Sequence, residues 1–157
     1  TTTLTTNDMF ENIKHSHSIE IYELQKKYKE DFGNNIWKSN ELKNSIINKE
    51  LEGEVFMKEK KVSGFCFFKK IDNYIEIYSI FVTPTYRNRG VAKKFIKNCI
   101  EYCNKERLVK IILDVKDTNL NAINFYKRNN FIFCGKRKNY YRNMEQFHDS
   151  FTMQYII

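Results

Sequence analysis

Proline occurs once in this chain, at Pro84, and glycine only five times in 157 residues. So few breakers exclude a collagen-like or proline-rich protein, and no Gly/Ser-rich linker or internal repeat divides the chain. One domain over residues 1–157 is expected, large enough for a real hydrophobic core. No apolar run is long enough to cross a bilayer, so no membrane partner is expected. Thr1–Asp8 lacks the charged-then-apolar pattern of a leader. The four cysteines, Cys66, Cys99, Cys103 and Cys134, lack the paired spacing of a zinc site. Cys99 and Cys103 are four apart and so share a helix face as packing residues. A reducing, cytoplasmic compartment is the expectation. His15-x-His17, with His148 far off, raises the question of a metal. In a polar, Ser-flanked stretch the two histidines read as a solvated linker, and no metal is expected.

Acidic residues are scarce in the second half. Residues 1–86 carry 12 basic and 13 acidic side chains, residues 87–157 carry 15 and 6, and the total is +8. An anionic partner is implied: a polyphosphate cofactor, or the ribosome or other RNA. Solvated helix faces account for an unknown share of the charge. The excess begins at Arg87-Asn88-Arg89-Gly90-Val91-Ala92. This segment follows an apolar run, Tyr74–Val82, and opens an amphipathic one, Val91–Cys103. A strand–loop–helix of this kind aims backbone N–H groups at one spot, at the positive end of a helix dipole. Gly90 permits close approach, and Arg87 and Arg89 offer forked donors for phosphate oxygens. No Gly-Lys-Ser/Thr follows, so the cradle is not of the Walker type. An ordinary basic turn before a surface helix is the alternative.

The remaining pattern predicts a mixed α/β sheet. Thr1–Thr6 reads as an edge strand. Ser18 caps a helix over Ile19 to about Asp31, and Ser39 or Asn40 caps a second. Glu54–Met57, Val62–Lys69 and Tyr74–Val82 form an antiparallel meander. Then come the loop and its helix, a buried strand Val109–Val115, and a helix capped by Thr118 or Asn119 that ends at Asn129-Asn130. Strands Phe131–Lys136 and Ser150–Ile157 finish the chain.

On this pattern two motifs fall in order. Arg87-x-x-Gly90-x-Ala92 resembles the acetyl-CoA pyrophosphate loop of the GNAT superfamily of N-acetyltransferases. Asn119-x-x-Ala122-x-x-x-Tyr126, with Asn130-Phe131, is similar to that superfamily's second motif. The resemblance runs from about Val55 to the C-terminus. It implies a mixed, mostly antiparallel sheet of about seven strands flanked by about four helices, with acetyl-CoA as cosubstrate. A closer resemblance is to protein N-terminal acetyltransferases of the bacterial ribosomal-protein alanine type and the eukaryotic catalytic subunits. Ile36-Trp37-Lys38-Ser39, Leu113-Asp114-Val115 and Lys138-Asn139-Tyr140-Tyr141, the last placed after the sixth strand, carry it. The sequence departs from that group at Ala92, at Asn130 in place of glycine, and at Asp114, where the bacterial enzymes have a longer Glu.

The resemblance implies roles. Phe81, Val82, Arg87, Asn88, Arg89, Gly90, Val91, Ala92 and Asn119 would hold acetyl-CoA. Tyr126 would protonate the departing thiolate, although on its helix it could equally be a core aromatic. Tyr140 and Tyr141 would grip a peptide backbone, with Trp37 and Tyr78 lining the pocket for its first residue. Asp114 and Glu76 are the candidate bases, being carboxylates within apolar strands, where solvent-facing or lysine-paired acids are the alternative. An α-amine has a pKa near 7.7–8.0 against about 10.4 for lysine, so a modest base suffices for N-termini. The expected reaction is acetyl transfer to protein or peptide N-termini, with the ribosome or an auxiliary subunit as further candidate partners. Rival readings are an acetyltransferase of a small amine (a polyamine or aminoglycoside) and a non-enzymatic ribosome- or RNA-binding module.

Overall fold

The structure, a computed structural model, describes residues 9–33, 35–143 and 146–157, with side chains described outside 139–148. Seven strands form one sheet: β1 (Met9–Asn12), β2 (Glu52–Lys58), β3 (Lys61–Ile71), β4 (Tyr74–Val82), β5 (Lys110–Lys116), β6 (Ile132–Asn143) and β7 (Gln146–Ile156). Their order is β1-β2-β3-β4-β5-β7-β6. Every pairing is antiparallel except β4 with β5. Among the described residues five α-helices flank it: α1 (Ser18–Lys27), α2 (Lys29–Phe32), α3 (Ser39–Ile47), α4 (Val91–Glu106) and α5 (Leu120–Arg128). The helix that links parallel β4 and β5 is α4, since a parallel pair needs a crossover.

Both faces of the central strands are covered. Phe65 and Phe67 of β3 pack with Ile21 of α1, Phe32 of α2 and Leu42 of α3. Cys66 and Phe68 point the other way, into a cluster with Phe95 and Ile96 of α4 and Ile123 of α5. That is why β3 reads as a near-continuous apolar run. In α4 the buried residues Val91, Phe95, Ile96, Cys99 and Cys103 form one stripe, as an amphipathic helix against a sheet requires.

Several expectations need correction. Thr1–Thr6 lies outside the described residues, and the edge strand found is Met9–Asn12. Ser18 does not cap: it is the first residue of α1, and its hydroxyl donates to His15 O at 2.6 Å. The helix breaks at Tyr28 (φ −111°, ψ 38°), so 19–31 is two helices, α1 and α2. The cap position of α3 is Lys38, without a side-chain bond. His17 is no solvated linker residue. It is buried, and its Nδ1 accepts the Lys14 N–H at 3.0 Å. Finally, β6 and β7 extend well past the expected ends, so Lys138–Tyr141 lies inside β6 rather than after it. A register shift between Arg137 and Tyr141 lets the pairing continue.

Candidate active site

Register decides where the sheet opens. β4 pairs with β5 from Tyr74↔Lys110 to Ile77↔Leu113 and no further, although β4 runs on to Val82 and β5 to Lys116. The divergence coincides with a bulge on the other edge of β4. Ser79 faces Phe67 and Ile77 faces Phe68, so Tyr78 is an extra residue. The bulge inverts the alternation: Ile75 and Ile77 belong to the α4-side core before it, and Ile80 and Val82 after it. Between the parted strands lies a cleft of about 610 Å³. It is lined by Ile77–Val82 of β4, Leu113–Lys116 of β5, the loop and first turn of α4, α5 and the α2 turn.

At one end sits the loop Arg87–Ala92. Asn88 (φ 60°) and Gly90 (φ 85°) are both left-handed, which wraps the chain into the first turn of α4. The first bond of α4 runs from the Lys94 N–H to Gly90 O at 3.0 Å. The N–H groups ahead of it therefore have no intrahelical acceptor. A Cβ built on Gly90 meets no heavy atom within 4 Å, so the position faces open space. This suits a diphosphate at the dipole's positive end. The arginines differ from expectation. Arg87 Nε donates to Val82 O at 2.8 Å, its Nη2 lies 3.4 Å from Asp31 Oδ2, and its guanidinium stacks over Phe81. Arg89 lies over the Tyr86 ring. Here Arg87 ties the loop to α2, and the candidate cradle consists of backbone N–H groups.

In the middle of the cleft, Asn119 Oδ1 accepts the Ala122 N–H at 3.2 Å, so Asn119 is the cap of α5 as well as part of the cleft wall. Tyr126 lies seven residues on and is only 7% exposed. It packs against Phe125 and Phe131 and also lines the cleft. The phenol is thus both a core aromatic and a cleft residue.

The other end holds Tyr78 and Asp114. Asp114 is tied twice: Thr152 Oγ1 donates to Oδ1 at 2.6 Å, and Arg137 Nη1 lies 2.9 Å from Oδ2. Glu76 does not join it. Glu76 stands between Lys69 and Ile112 in register, short of the opening, and is not among the lining residues. Trp37 also stays behind the wall, edge-on to Tyr78 and Phe67, with Lys69 Nζ over both the Trp37 and Tyr78 rings. Tyr140 and Tyr141 belong to β6 by backbone, and their side chains lie outside the described residues.

Three contributors escaped sequence reading. Arg137 and Thr152 reach Asp114 from strands distant in sequence. Gln25, fully buried on α1, accepts the Trp37 N–H at 2.9 Å and donates to Trp37 O at 3.0 Å. A polar residue on the apolar face of α1 was the available signal for Gln25. The three buried cysteines, Cys66, Cys99 and Cys103, offer no nucleophile here. Cys66 and Cys99 lie 3.9 Å apart at sulfur, and that contact together with burial pushes the Cys99 thiol well up. Burial pushes Cys103 up to about 12. Among the described residues no group of three or more His, Cys, Asp or Glu is placed to hold a metal.

Known proteins resemble this chain in sequence and in fold. The [ribosomal protein bS18]-alanine N-acetyltransferase of Escherichia coli is 24% identical over 93 residues, covering 59% of this chain and 63% of that protein. Streptothricin acetyltransferase A of Bacillus subtilis is 30% identical over 61 residues, 39% of this chain and 35% of that one. The chain therefore spans less than two thirds of the curated relatives it matches. The fold matches the crystal structure of Arabidopsis thaliana NAA60 in complex with acetyl-CoA, with a TM-score of 0.83 at 20% identity, covering 96% of this chain and 98% of that one. The acetyltransferase (GNAT) family model matches residues 18–131, nearly three quarters of the sequence. With the parted strands, the left-handed Gly90 loop and Tyr126 already in place, that match makes this chain a member of the GNAT acetyltransferase family.

Proposed function

We propose that this chain transfers an acetyl group from acetyl-CoA to the α-amino group of protein or peptide N-termini. The observation that carries the reading is the cleft between β4 and β5, with a backbone cradle at one end and Asp114 and Tyr78 at the other. Bound acetyl-CoA would supply an activated acetyl thioester. The N–H groups of the α4 first turn would take its diphosphate, and the edge of β4 at Phe81 and Val82, which has no strand partner on the β5 side and where Arg87 already holds Val82 O, would take its amide arm as an added strand. Tyr126 would donate its phenolic proton to sulfur as the amine nitrogen bonds the carbonyl carbon and the C–S bond breaks. The amine's own proton would leave through water beside Asp114. Roughly a tenth of an α-amine is already neutral at pH 7, so a tied carboxylate that only orders water is enough.

Acetyl transfer to a small amine is the second reading, favoured by the likeness to streptothricin acetyltransferase A. Peptides with a free N-terminus, N-blocked peptides with internal lysine, and spermidine should be offered together with acetyl-CoA. Mass spectrometry should place the acetyl group on the α-amine. Acetylation confined to ε-amines or spermidine would reject the peptide reading.

A further inference from the structure

We propose that Arg137 is a specificity-determining residue: by neutralising Asp114 at the acceptor end of the cleft, it keeps polycationic small amines out and leaves the site to peptide N-termini. This rests on the transfer reaction proposed above. Among the described residues three acidic side chains line the cleft, Glu30, Asp31 and Asp114. Two of them carry an arginine: Asp31 pairs with Arg87 at 3.4 Å and Asp114 with Arg137 at 2.9 Å. A polyamine is recognised by several carboxylates spaced to meet its ammonium groups, and pairing these two removes most of that field.

The Asp114 pair is the deeper of the two. The Asp114 side chain is 10% exposed and the Arg137 side chain 50%, so the carboxylate is the buried partner and the arginine the one that meets solvent. The pair spans three neighbouring strands. Asp114 on β5 faces Thr152 on β7, and Thr152 faces Gly135 on β6, two residues before Arg137. Gly135 brings no side chain to that row, and the Thr152 hydroxyl fixes the second carboxylate oxygen. With both oxygens engaged, a second cation gains little there. A peptide N-terminus needs none, because it reacts as the neutral amine and binds through its backbone.

The test compares kcat/KM for spermidine with kcat/KM for a free-N-terminal peptide, together with inhibition of peptide acetylation by spermidine. Arg137→Met should raise the spermidine-to-peptide ratio roughly tenfold and tighten spermidine inhibition, the size expected when one partner of a close charge pair is left alone. Arg137→Lys should stay near the wild type. Asp114→Asn removes the carboxylate that a polyamine would seek and should move the ratio the opposite way. Calorimetry with acetyl-CoA checks folding, and if Arg137→Met does not bind it, Asp114→Asn carries the test. Ratios within twofold of wild type, or Arg137→Lys behaving as Arg137→Met, would overturn the proposal. Failure of the peptide reading is visible in the wild type alone, whereas failure of the Arg137 proposal shows only in the ratio between variant and wild type.

Discussion

Gly90 and Tyr126 bring together a conformational and a chemical requirement at single residues. Gly90 has φ 85° and faces the cleft, so Gly90→Asp strains the backbone and sets a carboxylate where a diphosphate should lie. Calorimetry should find acetyl-CoA affinity lost with the circular dichroism spectrum preserved. Intact affinity in the folded variant would falsify the cradle. Tyr126→Phe removes one hydroxyl and keeps the packing with Phe125 and Phe131. Its kcat should fall on the order of a hundredfold, with acetyl-CoA affinity nearly unchanged, because the proton is needed only as the thiolate leaves. An unaltered kcat would make Tyr126 a packing residue. Both residues were legible in sequence because their motifs are local. Arg87 was legible as a loop member, but its side chain's choice of Val82 O and Asp31 depends on where α2 folds.

Elements are positioned here by two contacts that no spacing rule announces. Gly53 of β2 faces Phe67 of β3, and a Cβ there would stand 2.0 Å from Cys66 O and 2.7 Å from Phe67 Cα. Gly53→Ala must push the strands apart and should cost about 3 kcal/mol, read from the urea midpoint. A loss under about 0.5 kcal/mol would mean that β2 shifts freely. Gln25 completes the backbone of Trp37 like a fragment of strand and so fixes the α2–α3 segment against α1. Gln25→Ala removes two partly buried bonds to Trp37 and should cost about 2–3 kcal/mol. It should also raise the peptide KM more than the acetyl-CoA KM, since Trp37 backs Tyr78. Strand β4 was legible end to end from its apolar run. Its bulge at Tyr78 was not, because a bulge is a property of the pairing with β3 and leaves no mark on β4 alone.

Across the whole molecule, stability should carry a pH term from His17. Burial pushes its pKa down, outweighing the opposing pull of Glu11 and Glu20. The neutral ring, accepting the Lys14 N–H, is therefore the folded form. Below the unfolded value of about 6.5 the unfolded chain binds the extra proton first, so this stability is complete above that pH and is lost as pH falls through the lowered folded value. His17→Asn keeps an acceptor without the titration. Urea unfolding at pH 7.5 and 5.5 should show a smaller difference between the two pH values for the variant than for the wild type, and equal differences would assign the term elsewhere. The sequence by itself determined the alternation of strand and helix, the amphipathic stripe of α4, the Gly90 loop and a cap at Thr118 or Asn119. Each depends on residues within a few positions of one another, where propensity and periodicity act. Only the tertiary structure decided that β4 and β5 part beyond Ile77 and Leu113, that Glu76 stops short of the cleft, and that Asp114 is tied to Arg137 and Thr152. Those outcomes depend on register between strands far apart in the chain, and register is set by how the two cores pack on either side of the sheet.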